Sequence, residues 1–294
     1  GDRTRTGPGF AAAQVEAIET QTVDLSSQRL LPGSYAEAIV STPETKLLEL
    51  SLWFQPTFLK RDGVLFSVSS GESFVEVGNS GTELVARFCE VEAVVRDRPL
   101  ERHRWYFLSL KVDVQAGVAE IEISSPKSAS PARDLLQSGQ DKCVVPISIT
   151  FAGDLTLRLA AGVADGRWDG RIAAPKLVAD GNHYEWEFEG DMEDAAITSV
   201  SGGAKLNLFQ LPTRGVTGPT WSGEHQRWRD DPKQWNAIHF HHDDLYDAGW
   251  ETTGKFRLPA DLSSGIYCLR FESESTAFAD QFNLGCELGR HGPL

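Results

Sequence analysis

Hydrophobic and polar residues alternate along much of the first two thirds of the chain. In LLELSLWF, residues 47–54, leucine occupies positions 48, 50 and 52 between polar or aromatic residues. Successive side chains of a β-strand point to opposite faces, so this pattern predicts a strand with one buried face. Similar segments are 23–29, 36–41, 64–68, 73–77, 83–88, 105–112, 118–124, 144–151, 154–159 and 171–177. No run of helical period exceeds two turns, so the sequence predicts an all-β sandwich or jelly roll.

The segment NAIHFHHDDLYDAGW, residues 236–250, contains three of the seven histidines next to two aspartates. If residues 238–242 form a strand, His239 and His241 share one face, and Asp243 joins them where the strand continues. Two imidazoles and one carboxylate at this spacing suit a metal ion or an acid–base cluster. The alternative is a hydrogen-bonded corner at a domain edge, with Asp243 and Asp244 capping a turn. We favour the corner, because backbone groups and cationic side chains satisfy such residues without a metal.

Three glutamates alternate with aromatic residues in YEWEFEG, residues 184–190. A strand here places Glu185, Glu187 and Glu189 on one face. Two of these carboxylates, with Glu185 and Glu187 as the catalytic candidates, could act as nucleophile and acid in glycoside hydrolysis. We favour a solvated strand edge, whose charges discourage pairing with a further strand.

Trp221, Trp228 and Trp235 are spaced seven residues apart, and Arg227 lies between them. This period could form a stripe on a short helix, but Asp231-Pro232 interrupts it. The segment is therefore predicted to be a loop with buried aromatic anchors. A ligand platform built from the three tryptophans and Arg227 is the functional alternative, although packing is the more common role of such residues.

Composition and charge limit the partners. The 294 residues include 42 acidic and 28 basic side chains, a formal net charge of −14. Nucleic acids and anionic membrane surfaces are not expected as partners, since both require clustered Lys and Arg. No apolar run is long enough to cross a bilayer, and the first residues lack the apolar core of a signal peptide. We therefore expect a cytoplasmic protein.

Other chemistry is sparsely represented. The spacing of the four cysteines matches neither a zinc site nor a redox motif. They are Cys89, Cys143, Cys268 and Cys286. Two disulfides could form, but free thiols are more common in a chain of this size. Asp165, Asp169 and Asp180 could hold a calcium ion at the rim of a jelly roll, although their spacing is ordinary.

Five segments follow one another in a recognisable order: LLELSLWFQPT, GVLFSV, RHRWYFLSLKVD, VAEIEI and GRWDGRIAAPKL. This order resembles a laminin-G-like, concanavalin A-like jelly roll. In that family an early apolar-Trp-Phe element precedes Pro-Thr, and a late Trp-x-Gly-x-Ile element, here at residues 168–172, closes the sandwich. The resemblance covers residues 25–188. It implies the fold but is nearly silent on function, because one scaffold hosts many functions.

A second resemblance begins after Trp186, in WEFEGDMEDAAITSVSG, LNLFQLPTRGVTGPTW and NAIHFHHDDLYDAGWETTGKFRLPADLSSGIYCLRF. These segments are similar to the large subunit of N,N-dimethylformamidase and its relatives. The resemblance implies hydrolysis of a small N-alkylated formamide to an amine and formate, a mononuclear iron site and a small accessory subunit. In that family the iron ligands, a tyrosine, a histidine and a glutamate, lie in a C-terminal domain. We expect this chain to lack that domain and therefore to hold no cofactor.

The patterns together predict a lead segment at 1–24, a jelly roll at 25–190, a connector at 191–214 and a second, smaller β-sandwich-like domain at 215–294. The leading hypothesis is the N-terminal, non-catalytic region of a dimethylformamidase-like amidohydrolase, serving assembly and access to the active site. Expected partners are a catalytic domain, a small subunit or further copies of the chain. The alternatives are a lectin-like glycan- or protein-binding module, and a stand-alone small-molecule enzyme with a pocket between the β domains.

Overall fold

The computed structural model describes residues 30–95, 99–125, 140–164, 166–190, 192, 194–245, 267–270 and 287–290. Nearly all regular structure in these ranges is β-strand. The one helical element among them is a single turn of 3-10 helix at Pro232–Gln234. Within the same ranges, no helix has the length and apolar character needed to cross a membrane. The predicted all-β class is confirmed.

The strands are mostly short and follow one another closely along the chain. In chain order they are β1 (Leu30–Pro32), β2 (Tyr35–Val40), β3 (Glu44–Thr45), β4 (Leu47–Pro56), β5 (Gly63–Ser70), β6 (Ser73–Ser80), β7 (Glu83–Phe88), β8 (Val91–Val94), β9 (Tyr106–Asp113), β10 (Val118–Ser124), β11 (Gln140–Pro146), β12 (Phe151–Ala152), β13 (Leu155–Leu159), β14 (Gly170–Ala179), β15 (Asn182–Glu185), β16 (Ala196–Thr198), β17 (Lys205–Phe209), β18 (Thr213–Val216), β19 (Ala237–Phe240), β20 (Asp243–Leu245), β21 (Tyr267–Arg270) and β22 (Glu287–Arg290). Their pairings are antiparallel.

Two eight-stranded sheets form the larger compact unit, Gln28–Ala248. Sheet 1 has the order β11-β10-β9-β4-β14-β19-β18, and β15 also pairs with β14. Sheet 2 has the order β16-β17-β2-β13-β5-β6-β7-β8. The two-stranded ladders β1/β20 and β3/β12 complete the unit. This arrangement is the sandwich that the alternating pattern predicts.

The alternating leucines of β4 lie in the core between the two sheets. Leu48, Leu50, Leu52 and Phe54 are each at most 1% exposed. Sheet 2 contributes apolar residues of β2, β5 and β13 to the same core cluster. Burial of apolar surface is the main stabilising contribution to such a sandwich. The intervening residues Glu49, Ser51 and Trp53 lie on the outer face of sheet 1 and do not contribute to this core.

The sheets continue past residue 190, the predicted end of the jelly roll. Strands β16 and β17 come from the predicted connector. Leu206 of β17 lies opposite Ala38 of β2 in sheet 2. Strand β18 spans the predicted boundary between the connector and the second domain. Strand β19 comes from the predicted second domain, and its Ile238 pairs with Ile172 in sheet 1. The apolar alternation in KLNLF, residues 205–209, is too short to distinguish a strand from a connector by sequence alone. The sandwich therefore includes residues up to Leu245.

Several predicted segments lie outside the described residues. These include the lead segment 1–24, the predicted strand 23–29 and most of the loop 125–141. The second compact unit, Gly1–Ser27 with Gly249–Leu294, is described only at β21 and β22, where Tyr267 pairs with Arg290. A smaller β domain in the part of the chain beyond residue 245 stays a prediction.

Candidate functional site

The histidine-rich segment forms the end of one strand and the start of another. Strand β19 ends at Phe240 and β20 begins at Asp243, so the predicted strand 238–242 is two residues too long. His239 lies on the outer face of sheet 1, opposite Arg171 of β14. The His241 ring turns to the Asp243 carbonyl oxygen, 2.7 Å from its Nδ1. The structure therefore does not bring together on one strand face the three expected residues, His239, His241 and Asp243.

The centre of the polar corner is Asp169. Thr57 donates its hydroxyl hydrogen to Asp169 Oδ1, and Thr57 Oγ1 lies 3.2 Å from His239 Nε2. His242 Nδ1 is 3.0 Å from Asp169 Oδ2, and its Nε2 is 2.9 Å from Asp243 Oδ2. We call these five residues, Thr57, Asp169, His239, His242 and Asp243, the Asp169 cluster. Two of the three candidates for the predicted site are thus present, but His242 replaces His241.

Packing around Trp168-Asp169-Gly170 fixes the position of the central carboxylate. The Trp168 side chain is 2% exposed and packs edge-on against Phe54, with ring centroids 6.1 Å apart. A Cβ atom on Gly170 would collide with the Gln55 carbonyl oxygen and with the Trp168 ring. Only glycine fits such a close backbone approach. The buried tryptophan and the glycine therefore hold Asp169 at the start of β14.

His242 lies between two carboxylates and against an aromatic ring. The imidazole stacks on Phe58 with a centroid separation of 5.1 Å and an interplanar angle of 9°. A protonated imidazole donates from both nitrogens, so in that form His242 joins Asp169 to Asp243. The ring is 18% exposed. This contact ties the start of β14 to the start of β20.

A close backbone approach secures the other side of the corner. Gly33 N–H donates to the His242 carbonyl over 3.0 Å, and Ser34 N–H donates to the His241 carbonyl over 2.9 Å. The Ser34 hydroxyl in turn accepts from the His241 N–H over 3.0 Å. A Cβ atom on Gly33 would collide with the His241 carbonyl oxygen. This close contact therefore requires a glycine at position 33.

The Asp169 carboxyl group is held in its ionised form. Burial alone would raise its pKa, but hydrogen bonds with His239, Thr57 and His242, and the charge of His239, hold the pKa well below the usual range. The direct His239 Nε2–Asp169 Oδ1 distance is 3.7 Å, so we assign its influence to electrostatics more than to a hydrogen bond. A general base works best with a pKa near the operating pH. The arrangement therefore suits a structural anchor better than a proton acceptor.

Arg171 is a half-buried cation on the outer face of sheet 1. Its Nη1 donates to the side-chain and main-chain oxygens of Thr217, and burial lowers the pKa of its guanidinium. Its Nε is buried without a hydrogen-bond partner among the described residues. The contact attaches the chain after β18 to the sheet. Sequence patterns gave no indication of this role.

The side chains that the structure describes do not form a cage for a metal ion. No group of three or more His, Cys, Asp or Glu residues in the described ranges is arranged to hold one. In the Asp169 cluster, ring nitrogens and carboxylate oxygens contact one another directly instead of facing a common empty point. The iron implied by the resemblance therefore does not fit these residues. Asp169 and Asp180 lie at opposite ends of β14, so they cannot share a calcium ion, and Asp165 is outside the described residues.

The glutamates of residues 185–189 do not form a row on a strand. Strand β15 ends at Glu185, which is salt-bridged to Lys176 across the sheet at 2.6 Å. Glu187 lies beyond the strand and is exposed. The contact of Glu185 with a lysine is a solvated ion pair at the side of sheet 1. A nucleophile and acid pair, which needs two carboxyl groups converging on one bond, is not seen in this geometry.

The three tryptophans anchor a loop through their ring nitrogens. Trp221 and Trp235 both donate to the His225 carbonyl, over 2.9 and 3.3 Å, and Trp228 donates to the Glu189 carbonyl over 3.3 Å. Arg227 pairs with Asp230 at 3.2 Å and is 80% exposed. Trp221 is 41% exposed and the other two tryptophans are half-buried, so the prediction of buried anchors is wrong. A ligand platform at these residues stays a prediction.

Cys89 and Cys143 are free thiols.

The sequence comparisons agree with the second resemblance. Residues 213–282 match the family described as N,N-dimethylformamidase beta subunit-like, C-terminal. The N,N-dimethylformamidase beta subunit of an Alcaligenes species is 23% identical over 334 residues, covering 94% of this chain and 43% of that protein. The corresponding subunit of Paracoccus aminophilus is 25% identical over 329 residues, covering 92% and 42%.

The chain is similar to N,N-dimethylformamidase beta subunits. It spans less than half the length of these two relatives. The matched family region begins at Thr213, the first residue of β18, and so includes strands of sheet 1. The first part of the dimethylformamidase-like segment, residues 213–240, is therefore part of the same sandwich as the jelly-roll strands.

Solved structures resemble the fold. The LG1–3 region of the laminin alpha2 chain aligns with a TM-score of 0.39 at 12% identity, over 63% of this chain and 36% of that one. A heptameric SAP-like pentraxin from Limulus polyphemus aligns with a TM-score of 0.38 at 11% identity, over 64% and 91%. Likeness at this level concerns the fold alone.

Proposed function

We propose that this chain is the N-terminal, non-catalytic region of a dimethylformamidase-like amidohydrolase, in which it serves assembly and shapes access to the active site. The observation that carries the proposal is the similarity to N,N-dimethylformamidase beta subunits over 92–94% of the chain, combined with coverage of only 42–43% of those subunits. The reaction would be hydrolysis of the C–N bond of a small N-alkyl amide. Residues outside this chain would perform it.

The Asp169 cluster supports a non-catalytic role. Its central carboxylate already accepts hydrogen bonds from Thr57 and His242, and its pKa is held low. A catalytic base must have room to bind the proton it removes from a substrate. An ionised carboxylate saturated by internal donors lacks that room. The cluster instead joins four segments of the sandwich, which is what a scaffold requires.

Two strands from the dimethylformamidase-like segment, β18 and β19, belong to sheet 1, and this supports a role in assembly. Strands β18 and β19 extend sheet 1, and Arg171 attaches the following loop through Thr217. A catalytic domain or small subunit would then meet a surface with a fixed shape. The mononuclear iron of the family would be held by residues of the catalytic domain. We place the protein in the cytoplasm.

Hydrolysis assays with the purified chain test the assignment. The chain is incubated with N,N-dimethylformamide and ferrous or ferric iron, and dimethylamine is measured after removal of protein. The Paracoccus aminophilus enzyme with all its subunits is the positive control. We expect no dimethylamine above the protein-free background. Turnover by this chain alone would overturn the non-catalytic assignment.

A second assay tests the assembly role. The chain is coexpressed with a catalytic domain and small subunit taken from a related dimethylformamidase, and complexes are separated by size-exclusion chromatography with light scattering. Co-elution at a defined stoichiometry is the expected result. Separate elution of the chain under conditions where the other components associate would contradict the assembly role.

A further inference from the structure

A groove crosses the outer face of sheet 1, away from the Asp169 cluster. Its volume is about 400 Å³, and Ser51 of β4 and Ser109 of β9 lie on its floor. The two serines are directly opposite each other in the β4/β9 register. Along the same row, Glu122 of β10 is opposite Ser109, and Lys176 of β14 is opposite Ser51. Short side chains flanked by long ones on both sides create the depression.

The charges that line the groove balance one another. Three lysines and three glutamates contribute to its walls, and these are Lys111, Lys142, Lys176, Glu49, Glu120 and Glu122. Each lysine is in a salt bridge: Lys111 with Glu49 at 3.4 Å, Lys142 with Glu120 at 3.1 Å and Lys176 with Glu185 at 2.6 Å. On a protein with a formal net charge of −14, this is a locally neutral strip rich in donors and acceptors.

An aromatic wall borders the hydroxyl floor. Phe107 lines the groove and contacts Trp53 on the neighbouring strand, with ring centroids 5.1 Å apart and an interplanar angle of 55°. Both rings are partly exposed. The aliphatic stems of the lysines add apolar surface beneath their charged ends. The groove therefore offers a flat apolar surface beside hydrogen-bonding groups on a rigid sheet.

The chemistry of the lining restricts the occupant. A charged ligand gains little, because ions of either sign would meet both lysines and glutamates. An added β-strand is excluded as well, since β4, β9, β10 and β14 are paired on both sides and lack a free edge here. The occupant should be uncharged, rich in hydroxyl groups, and apolar on one face. Sugar rings have these properties, with C–H groups on their faces and hydroxyls at their edges.

We infer that this groove binds a short, uncharged oligosaccharide. One sugar ring packs on Phe107, and its hydroxyls bond to Ser51, Ser109 and the paired lysines and glutamates. The volume falls in the range of about 300–1,000 Å³ typical of small-molecule sites. This binding site goes beyond the hydrolase-related role and does not depend on it, because it uses only residues of the outer face of sheet 1.

Isothermal titration calorimetry of the full chain, residues 1–294, with four neutral tetrasaccharides tests the inference. The probes are cellotetraose, laminaritetraose, xylotetraose and mannotetraose. We expect saturable binding of at least one probe with a dissociation constant of about 1 mM or tighter. Absence of saturable heat with all four probes at about ten times that concentration overturns the inference.

Two variants locate the site. Ser109→Phe fills the floor of the groove, and Phe107→Ala removes its aromatic wall. Each should weaken binding at least tenfold. The matched control is Ser69→Phe on the partly exposed outer position of β5 in sheet 2, which should leave binding unchanged. Circular dichroism and melting curves establish that each variant folds, and Phe107→Ala serves if Ser109→Phe does not fold. Binding that survives in the folded groove variants would place the ligand elsewhere and refute the proposal.

Discussion

Replacement of Asp169 is the most informative perturbation of the candidate site. Asp169→Ala removes the acceptor of the Thr57 hydroxyl and of His242 Nδ1 in a partly enclosed corner. Thr57 keeps its contact with His239, and His242 keeps its contact with Asp243. Asp169→Asn keeps the shape and one oxygen acceptor but removes the charge. The two variants therefore separate the contribution of the charge from that of the hydrogen-bonded framework.

The expected magnitude follows from the environment of the carboxylate. Removal of one partner from a fully buried ion pair costs about 3–5 kcal/mol. The Asp169 side chain is 19% exposed, so water can replace part of what is lost. We therefore expect Asp169→Ala to lower the free energy of unfolding by about 2–3 kcal/mol, and Asp169→Asn by about 1–2 kcal/mol. For a domain of this size the alanine variant should melt about 5–10 °C lower.

Urea unfolding followed by tryptophan fluorescence measures these differences, and its pH dependence checks their origin. The pKa of Asp169 is lower in the folded state than in the unfolded state. Its contribution is therefore fully present above the unfolded pKa and declines as the pH falls towards the folded value. The advantage of wild type over Asp169→Asn should be constant from about pH 6 to pH 5 and should shrink below about pH 4.

The control for this series is Asp154→Asn, a change at an exposed aspartate of the same sandwich. It should shift the free energy of unfolding by less than about 0.5 kcal/mol. The reasoning would be refuted if Asp169→Asn were as stable as wild type at pH 6. It would also be refuted if the stability difference between them stayed constant down to pH 3.5.

Three further changes probe the same sandwich. Gly33→Ala should lower the free energy of unfolding by about 1–3 kcal/mol, because its Cβ meets backbone carbonyls, whereas Gly190→Ala has open space and should be near neutral in the same urea titration. His242→Ala should destabilise more than His241→Ala, by about 1 kcal/mol, since only His242 bridges two carboxylates; equal melting temperatures would contradict the assigned geometry. Glu185→Gln should change the free energy of unfolding by less than about 1 kcal/mol, because its ion pair is solvated.

Local sequence patterns predict most of the longer strands and the buried face of β4, but they miss the short strands β16 and β17 of the predicted connector. The alternation in β4 predicts which residues are buried, because the two faces of a strand follow from the chain geometry alone. The same local argument located the end of the histidine strand incorrectly by two residues. The alternation of apolar and polar residues continues to His241, one residue beyond the end of β19, so such a short pattern does not mark where the strand ends.

The membership of the Asp169 cluster depended on contacts between distant parts of the chain. His242 and Asp169 are 73 positions apart, and Thr57 and His239 are 182 positions apart. The sequence marked Asp169 within the Trp-x-Gly-x-Ile element of the sandwich, but nothing in that pattern paired it with a histidine. On a strand over residues 238–242, His242 would share a face with Ile238 and Phe240. Instead, β19 ends at Phe240, and the chain beyond it places the His242 ring against Asp169.

Strand register determines which residues meet on the outer face of sheet 1. The sequence by itself determined that Ser51 and Ser109 occupy outward positions, since they alternate with buried residues of β4 and β9. Only the tertiary structure decided that they face each other, because a shift of one residue in register changes every neighbour across the strands. Alternation is a property of neighbouring residues in one strand, whereas a groove or a polar cluster requires that particular strands meet in a particular register.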